Sequence, residues 1–116
     1  MLSKKNRLTK NKDFDQVFIK GKASYTGFIG LKCEKNGLEI SRFGILVSTK
    51  VSKKAVVRNK IKRRIRQALF LNMDRLKNGY DCAVICRPAI AEKDQKEIRA
   101  NLEYLFIKLK LLKKAA

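Results

Sequence analysis

The segment from Lys50 to Arg66 constrains this chain more than any other, because it combines dense positive charge with a helical hydrophobic pattern. Nine of its seventeen residues are Lys or Arg, and none is acidic. Apolar residues recur at helical spacing through it and into the next turn: Val57, Ile61, Ile65, Ala68 and Leu69. The pattern therefore predicts an amphipathic helix over roughly residues 54–72, with an apolar stripe and a broad cationic arc.

The cationic arc indicates a partner with fixed negative charges. Arg58, Lys62 and Arg66 lie at i, i+4 and i+8, and like charges at that spacing destabilise an exposed helix by roughly 0.2–0.5 kcal/mol per pair. A solvated helix face would mix both signs, yet no Asp or Glu occurs between Glu39 and Asp74, while ten Lys or Arg do. A face that is locally unfavourable and still present indicates binding of structured nucleic acid.

The totals of the chain agree with a folded, cationic binding domain. Its 116 residues, 45% of them apolar, fit a single domain spanning residues 1–116. Its net charge of +19 is self-repulsive and requires counterions or an anionic partner. The basic residues 1–10 and the last residues, 113–116, are expected to be flexible tails.

The periodicity of the sequence predicts three helices and three main strands. A first helix is expected at roughly 11–20, with Asn11 as its N-cap and Gly21 ending it. The other elements are strands at 28–33, 42–48 and 80–87 and helices at 54–72 and 92–113. Asn36-Gly37 is typical of a type I′ hairpin turn. The order α-β-β-α-β-α predicts an α+β sandwich of helices on a small sheet, in which a βαβ crossover is feasible.

Several classes of protein are disfavoured by what the sequence lacks. It has no apolar run near 18 residues and no apolar core of a secretory signal near its start, so we expect a cytoplasmic protein without a membrane partner. It has no His, and Cys33, Cys82 and Cys86 form no C-x-x-C pair, so a zinc site is not expected. Its ten carboxylates are scattered and no Gly-rich phosphate loop occurs. The chain alone is predicted to bind, with no catalytic residue and no metal ligand.

Two kinds of side chain have more than one interpretation. Phe14 and Phe18 lie one helical turn apart, and Phe28 lies close to the first strand. These rings suit core packing, but aromatic faces beside a basic groove also stack on unpaired bases. Asn59 suits either reading a base or sugar or bonding to the local backbone. The residues alone leave these alternatives open.

Four blocks of the sequence together resemble the bacterial ribonuclease P protein subunit. The run Ala55–Arg66, AVVRNKIKRRIR, is similar to the family signature of an Arg-Asn followed by Lys-Arg and a further Arg on one helix. The other blocks are Arg7-Leu8 with Asp13-Phe14 and Val17-Phe18, then Arg42-Phe43-Gly44 leading to Val47-Ser48 and Lys50, then Tyr80–Arg87. Their order and spacing agree over roughly residues 7–112.

The resemblance implies a fold and a function. The fold would be an α/β sandwich similar to domain 2 of ribosomal protein S5, with a left-handed βαβ crossover that general rules do not predict. The chain would be the protein component of an endoribonuclease holoenzyme that removes the 5′ leader of precursor tRNA. The RNA subunit would carry catalysis and the Mg²⁺. The implied partners are that catalytic RNA and precursor tRNA, with no stable protein partner.

The resemblance also implies roles for individual residues. Seven would bind RNA, the first five at signature positions: Arg58, Asn59, Lys62, Arg63, Arg66, Lys53 and Lys54. Four would form a cleft for the leader: Phe14, Phe18, Phe28 and Lys50.

Two other functions share the charge of this chain. A structural ribosomal or RNA-assembly protein with an S5-like domain would need the basic helix but no aromatic cleft. A DNA-binding regulator would use residues 54–72 as a reading helix, but that helix lies between strands and not in a helix-turn-helix arrangement.

Overall fold

A four-stranded mixed sheet carries helices on both of its faces in the computed structural model, which describes residues 2–114. In chain order the elements are α1 (Asn11–Lys20), β1 (Lys22–Tyr25), β2 (Ile29–Lys35), β3 (Arg42–Leu46), α2 (Ala55–Asn72), β4 (Tyr80–Cys86) and α3 (Gln95–Lys108). Short 3₁₀ helices span Lys4–Asn6 and Pro88–Glu92. The predicted α+β class and the three helices are confirmed.

The strand order β1-β2-β4-β3 shows that the predicted hairpin between β2 and β3 is wrong. Both pair with β4 instead, β2 antiparallel and β3 parallel. Of the two turn residues only Gly37 has a positive φ, 74°, whereas a type I′ turn requires it at both. Asn36 instead donates from Nδ2 to the Ile40 carbonyl (3.1 Å) and to Asp81 Oδ1 (2.8 Å), which anchors the connection beside β4.

The strand β1 was not predicted, so the observed order is α-β-β-β-α-β-α. Its four residues, KASY, are mostly exposed and carry no clear apolar alternation, which is usual for a short edge strand. Gly21 does end α1, but its φ of −70° is not the left-handed conformation of a glycine cap. Glycine is needed there because a Cβ would overlap the carbonyl oxygen of Val17.

Two helices, α2 and α3, cover one face of the sheet and enclose the main core. The predicted stripe of α2 is confirmed, since Ile61, Ile65, Ala68 and Leu69 are buried and Val57 packs against the same cluster. The stripe of α3 is buried at Ile98, Leu102, Leu105 and Phe106. The helix α3 begins at Gln95, later than predicted, because Asp94 and Glu97 form a capping box.

Residues 2–8, which belong to the tail predicted to be flexible, pack against β3. Leu2 and Leu8 are each only 3% exposed. The Leu8 amide donates to the Phe43 carbonyl (2.9 Å), and Asn6 Nδ2 donates to the Ser41 carbonyl (2.8 Å). At the other end, the Lys113 amide donates to the Arg75 carbonyl (2.8 Å). Met1, Ala115 and Ala116, also assigned to the tails, lie outside the described residues.

The helix α1 packs on the opposite face, where Val17 and Leu8 form a small cluster with Ala83. The predicted Asn11 cap is wrong: Lys10 precedes the helix, without a side-chain capping bond. An ion network holds α1 instead. Arg42 donates from Nε and Nη2 to the two oxygens of Asp81 (2.8 and 2.6 Å), and its Nη1 lies 3.4 Å from Asp13. The hydrogen bond with Asp81 raises the pKa of Arg42, so its guanidinium stays charged.

Because Asp81 is buried, we predict a large loss of stability when its ion pair with the half-buried Arg42 is disrupted. Arg42→Ala should lower the free energy of unfolding by about 3 kcal/mol, because it leaves the Asp81 carboxylate buried without its cation. Arg99→Ala is the matched control, since the Arg99–Glu103 pair is more exposed (side chains 46% and 28% exposed) and should cost under about 1 kcal/mol. Urea denaturation at one salt concentration measures both, and equal losses would contradict the role assigned to Arg42.

Candidate nucleic-acid interface

The outward side of α2 carries the cationic arc that the sequence predicts. We call Arg58, Asn59, Lys62, Arg63 and Arg66 the α2 arc. Asn59 and Arg63 are exposed, while the other three are half-buried along the edge of the apolar stripe. Among the described residues, every ion pair involves an Arg other than these. The arc therefore presents its charges without internal neutralisation, on a helix whose rotation is fixed by the buried stripe.

The N-terminus of α2 is unusually positive. It has no side-chain capping bond and no acidic residue in its first turn, and exposed Lys53 and Lys54 directly precede it. The helix dipole disfavours cations at this end and favours anions, whose oxygens can accept from the free amides of the first turn. The lysines at this end of α2 are therefore unfavourable for the helix itself, and an anionic partner would explain their presence.

The loop between β3 and α2 is ordered by its own hydrogen bonds. Ser48 Oγ accepts from the Lys50 amide and Ser52 Oγ from the Lys54 amide, both at 3.2 Å, while Val51 is buried. Arg58 Nη1 donates to the Ser52 carbonyl (2.9 Å). Arg58 thus has two roles, since it fixes the loop and leaves its remaining donors for a partner.

Phe14 and Phe18 form a stacked pair on α1, with ring centroids 6.2 Å apart and an interplanar angle of 24°. Phe18 is 37% exposed and Phe14 is half-buried. Phe14 packs directly over Gly44 of β3, where a Cβ would overlap the ring. Phe14 packs against a small cluster on one side and faces an open depression on the other, so its position fits core packing and leaves base stacking as a prediction.

This depression, the Phe14 cleft, joins α1, the sheet and α2. It encloses about 250 Å³ and is lined by Leu2, Arg7, Leu8, Thr9, Phe14, Phe43, Gly44, Ile45, Leu46 and Arg66. Arg66 of the α2 arc therefore lies on the same depression as Phe14. A basic groove with an aromatic wall is the arrangement that binds single-stranded nucleic acid.

Three of the four predicted cleft residues do not line the Phe14 cleft. They are Phe18, which stacks on Phe14 from the next turn of α1, and Phe28 and Lys50. Phe28 is 9% exposed, packs in the main core and has the Lys93 ammonium 5.2 Å from its ring centroid. It does not line the Phe14 cleft, so little of its ring is open to a base. Lys50 is exposed in the loop after β3 and does not line the cleft either.

The structure adds residues that sequence reasoning did not assign. Arg7 lines the Phe14 cleft, with its guanidinium positioned by two hydrogen bonds to the Leu2 carbonyl (3.2 and 3.0 Å). Phe70 lies one turn after Arg66 and is 50% exposed, although its spacing alone resembles that of a core residue. Arg64, by contrast, is structural, because its Nη1 donates to the Lys93 carbonyl (2.9 Å) and holds the start of α3.

Two buried cysteine thiols of the described residues have raised pKa values. Burial raises the pKa of Cys86 to about 12, opposed by the nearby Lys62 ammonium, and burial also raises the pKa of Cys82. These thiols stay protonated near neutral pH and are poor nucleophiles. No three His, Cys, Asp or Glu side chains among residues 2–114 are grouped to hold a metal ion. Within the same range, none of the helices is long and apolar enough to cross a bilayer.

The contact of Phe14 with Gly44 predicts a specific steric requirement. Gly44→Ala should displace the Phe14 ring and lower the free energy of unfolding by about 1–3 kcal/mol. Gly27→Ala is the control, because nothing lies within 4 Å of a Cβ there and its φ is not left-handed. That control should be neutral or stabilise by up to about 1 kcal/mol. Denaturation followed by circular dichroism distinguishes the two, and a Gly44→Ala protein as stable as the control would show that the contact is not tight.

Comparisons with known proteins agree with this geometry. The family model for ribonuclease P matches residues 2–110. The chain is 42% identical to the ribonuclease P protein component of Clostridium botulinum (strain 657 / Type Ba4), over 97% of this chain and 96% of that protein. It is 38% identical to the component from Bacillus mycoides (strain KBAB4), over 90% and 91% of the two chains.

Solved structures show the same fold. The RNase P protein of Staphylococcus aureus superposes with a TM-score of 0.86 at 29% identity, covering 93% of this chain and 98% of that one. The RNase P protein of Thermotoga maritima, in complex with 1-(4-fluorophenyl)-2-thiourea, gives 0.78 at 35% identity, covering 85% and 96%. With a family model over nearly its whole length and relatives above 30% identity, the chain belongs to the ribonuclease P protein component family.

Proposed function

We propose that this chain is the protein subunit of ribonuclease P, which binds the catalytic RNA and the 5′ leader of precursor tRNA. The observation that carries the proposal is the meeting of the α2 arc and the Phe14 cleft at Arg66. The α2 arc suits a structured RNA, and the Phe14 cleft suits a single strand that extends from that RNA. A precursor tRNA bound to a catalytic RNA presents both features at one place, the cleavage site.

The contribution of the protein is then electrostatic and positional. The α2 arc and the N-terminus of α2, with Lys53 and Lys54, neutralise phosphates of the RNA subunit near the cleavage site. The Phe14 cleft receives leader nucleotides, with bases against Phe14 and Phe18 and phosphates toward Arg66 and Arg7. Holding the leader in this way increases binding of precursor over product, because the mature tRNA lacks those contacts.

Catalysis and its Mg²⁺ are assigned to the RNA subunit. The described residues do not fit a Mg²⁺ site of their own, because no three carboxylates converge and Asp13 and Asp81 are both engaged by Arg42. No step of the proposed role of the protein passes through the metal. By neutralising phosphates, the protein reduces the Mg²⁺ concentration that the RNA needs for folding and binding.

Three finer assignments belong to the same proposal. The adjacent, parallel β3 and β4 are joined through α2, which is compatible with an arrangement similar to domain 2 of ribosomal protein S5. The left-handed crossover is proposed from the family resemblance alone. The requirement for tRNA precursors supports a cytoplasmic location. The RNA subunit and precursor tRNA are the proposed partners, and no stable protein partner is proposed.

Cleavage of precursor tRNA tests the function directly. With a bacterial ribonuclease P RNA at low Mg²⁺, adding the chain should accelerate leader removal at least tenfold, and the chain alone should cleave nothing. The holoenzyme should also bind leader-bearing tRNA more tightly than mature tRNA. Unchanged cleavage on adding the protein would contradict the function. Acceleration without a preference for the leader would favour a structural RNA-binding role instead.

Salt dependence tests the α2 arc. Arg66→Ala should weaken binding to the RNA subunit and reduce the slope of log affinity against log salt by about 1, because one phosphate contact is lost. Lys96→Ala removes an equal charge from an exposed position on α3 and should leave the slope unchanged. Ile61→Ala, in the buried stripe, should instead lower the free energy of unfolding by about 2–5 kcal/mol. Equal slopes for Arg66→Ala and Lys96→Ala would show that the charge acts without a defined contact.

A further inference from the structure

A second cationic cavity lies at the opposite end of the sheet from the start of α2. We call it the lysine cavity. It encloses about 450 Å³ and is lined by Lys20, Lys22, Cys33, Glu34, Lys35, Lys77, Tyr80, Leu109, Lys110 and Leu111. Lys35, on the rim of the lysine cavity, pairs with Tyr80 at the beginning of β4. The loop to α2 starts after Leu46 of β3, and Leu46 pairs with Ile85 near the other end of β4. The lysine cavity is therefore separate from the α2 arc and the Phe14 cleft.

The lysine cavity concentrates unneutralised positive charge. Five ammonium groups and one carboxylate line it. The ion pairs formed among residues 2–114 all use arginines, so none of these five lysines is paired. Like charges around one cavity repel, and a bound anion removes that cost. Several convergent ammonium groups suit a phosphate, to which lysine binds as a point charge.

The floor of the lysine cavity is apolar. Cys33 and Leu111 are buried, at 6% and 3% exposure. Tyr80 and Leu109 are half-buried and pack against the main core. An apolar floor of this kind accepts a flat ring, and the volume lies within the range of about 300–1,000 Å³ that is usual for small-ligand sites. The ligand that fits both the rim and the floor carries a ring and a phosphate.

Lys110 provides independent support, because its backbone conformation is unfavourable for a lysine. Its φ of 56° is left-handed. It ends α3 in a Schellman motif: the Lys110 amide donates to the Ile107 carbonyl (3.1 Å) and the Leu111 amide to the Phe106 carbonyl (2.9 Å). Glycine adopts this conformation without strain and is the usual residue there. A lysine that costs local stability at the rim of a cationic cavity indicates a use for its ammonium group.

We propose that the lysine cavity binds a nucleotide of an RNA strand, with its phosphate among the lysines and its base against Tyr80 and Leu109. A free nucleotide has the same chemistry, but a strand adds neighbouring phosphates that the remaining lysines can contact. This site is separate from the α2 arc, so the proposal for the lysine cavity and the proposed function can be tested independently.

The experiment must report on the cavity itself, because RNA also binds the α2 arc. Two-dimensional NMR of the full chain, titrated separately with a pentanucleotide RNA, adenosine monophosphate and inorganic phosphate, monitors the backbone amides of Lys77, Tyr80, Leu109 and Leu111. We expect saturable shifts at these amides with the pentanucleotide, weaker ones with the mononucleotide and the weakest with phosphate. Shifts confined to α2 would overturn the site. Equal affinity for the pentanucleotide and the mononucleotide would contradict the proposal that the ligand is an RNA strand. Equal affinity for inorganic phosphate would contradict the proposed contact with the base.

Lys110→Gly separates ligand binding from stability. It should weaken the cavity affinity about tenfold, as expected for a lost charge-assisted contact, while the melting temperature stays equal or rises because the left-handed strain is relieved. Lys35→Ala should weaken the affinity similarly, and Lys96→Ala, remote on α3, should change it less than twofold. Unchanged affinity in both cavity variants would overturn the proposal. Precursor cleavage is measured on the same proteins, so loss of cavity binding with intact cleavage leaves the proposed function standing.

Discussion

Burial of the α2 stripe is the interaction on which the rest of the structure depends. A chain with a net charge of +19 repels itself, and the repulsion is concentrated around α2, because residues 40–73 contain ten cationic residues, six of them on α2, and no acid. Ile61, Ile65 and Leu69 are essentially inaccessible to water beneath them. Burying side chains of this size contributes about 1.5–3 kcal/mol each, against a few tenths for each like-charge pair. Hydrophobic burial therefore dominates and holds the charges in a fixed orientation.

The second requirement is close packing of α1 on the other face of the sheet. Gly44 permits the Phe14 ring to lie on β3, and Gly21 permits the chain to turn tightly past Val17 into β1. The Arg42 network then ties Asp13 of α1 to Asp81 of β4. The Phe14 cleft exists because these contacts set α1 at one distance from the sheet, and Arg66 of α2 reaches the cleft from the other face. The position of Phe14 thus depends on close packing and the Arg42 network, whereas the position of Arg66 depends on burial of the α2 stripe.

Local periodicity predicted the helices and the α2 arc well, because each is defined by residues close together in sequence. The prediction of a hairpin at Asn36-Gly37 was wrong because the contact that competes with it is distant in sequence. Asn36 bonds to Asp81, 45 residues away. Strand β1 was missed because a short edge strand is held by its backbone pairing with β2 and needs no apolar pattern. Phe28 was placed in the cleft from the family pattern, but burial in the main core decides where its ring lies. The N-terminal residues 2–8 look like a basic tail in sequence, yet two buried leucines anchor them.

A count of positive charges does not identify a binding surface, because the cations of this chain have different functions in the fold. Arg42 and Arg64 are structural, since their donors are used on Asp81 and on the Lys93 carbonyl. Arg58 is shared between the Ser52 carbonyl and the exterior. Arg63 has no protein partner among the described contacts and faces solvent from a rigid helix. Structural cations reveal themselves by hydrogen bonds to the backbone or to buried carboxylates. A cation that gains no such bond, or that sits at a strained backbone position as Lys110 does, is explained only by what it meets outside the chain.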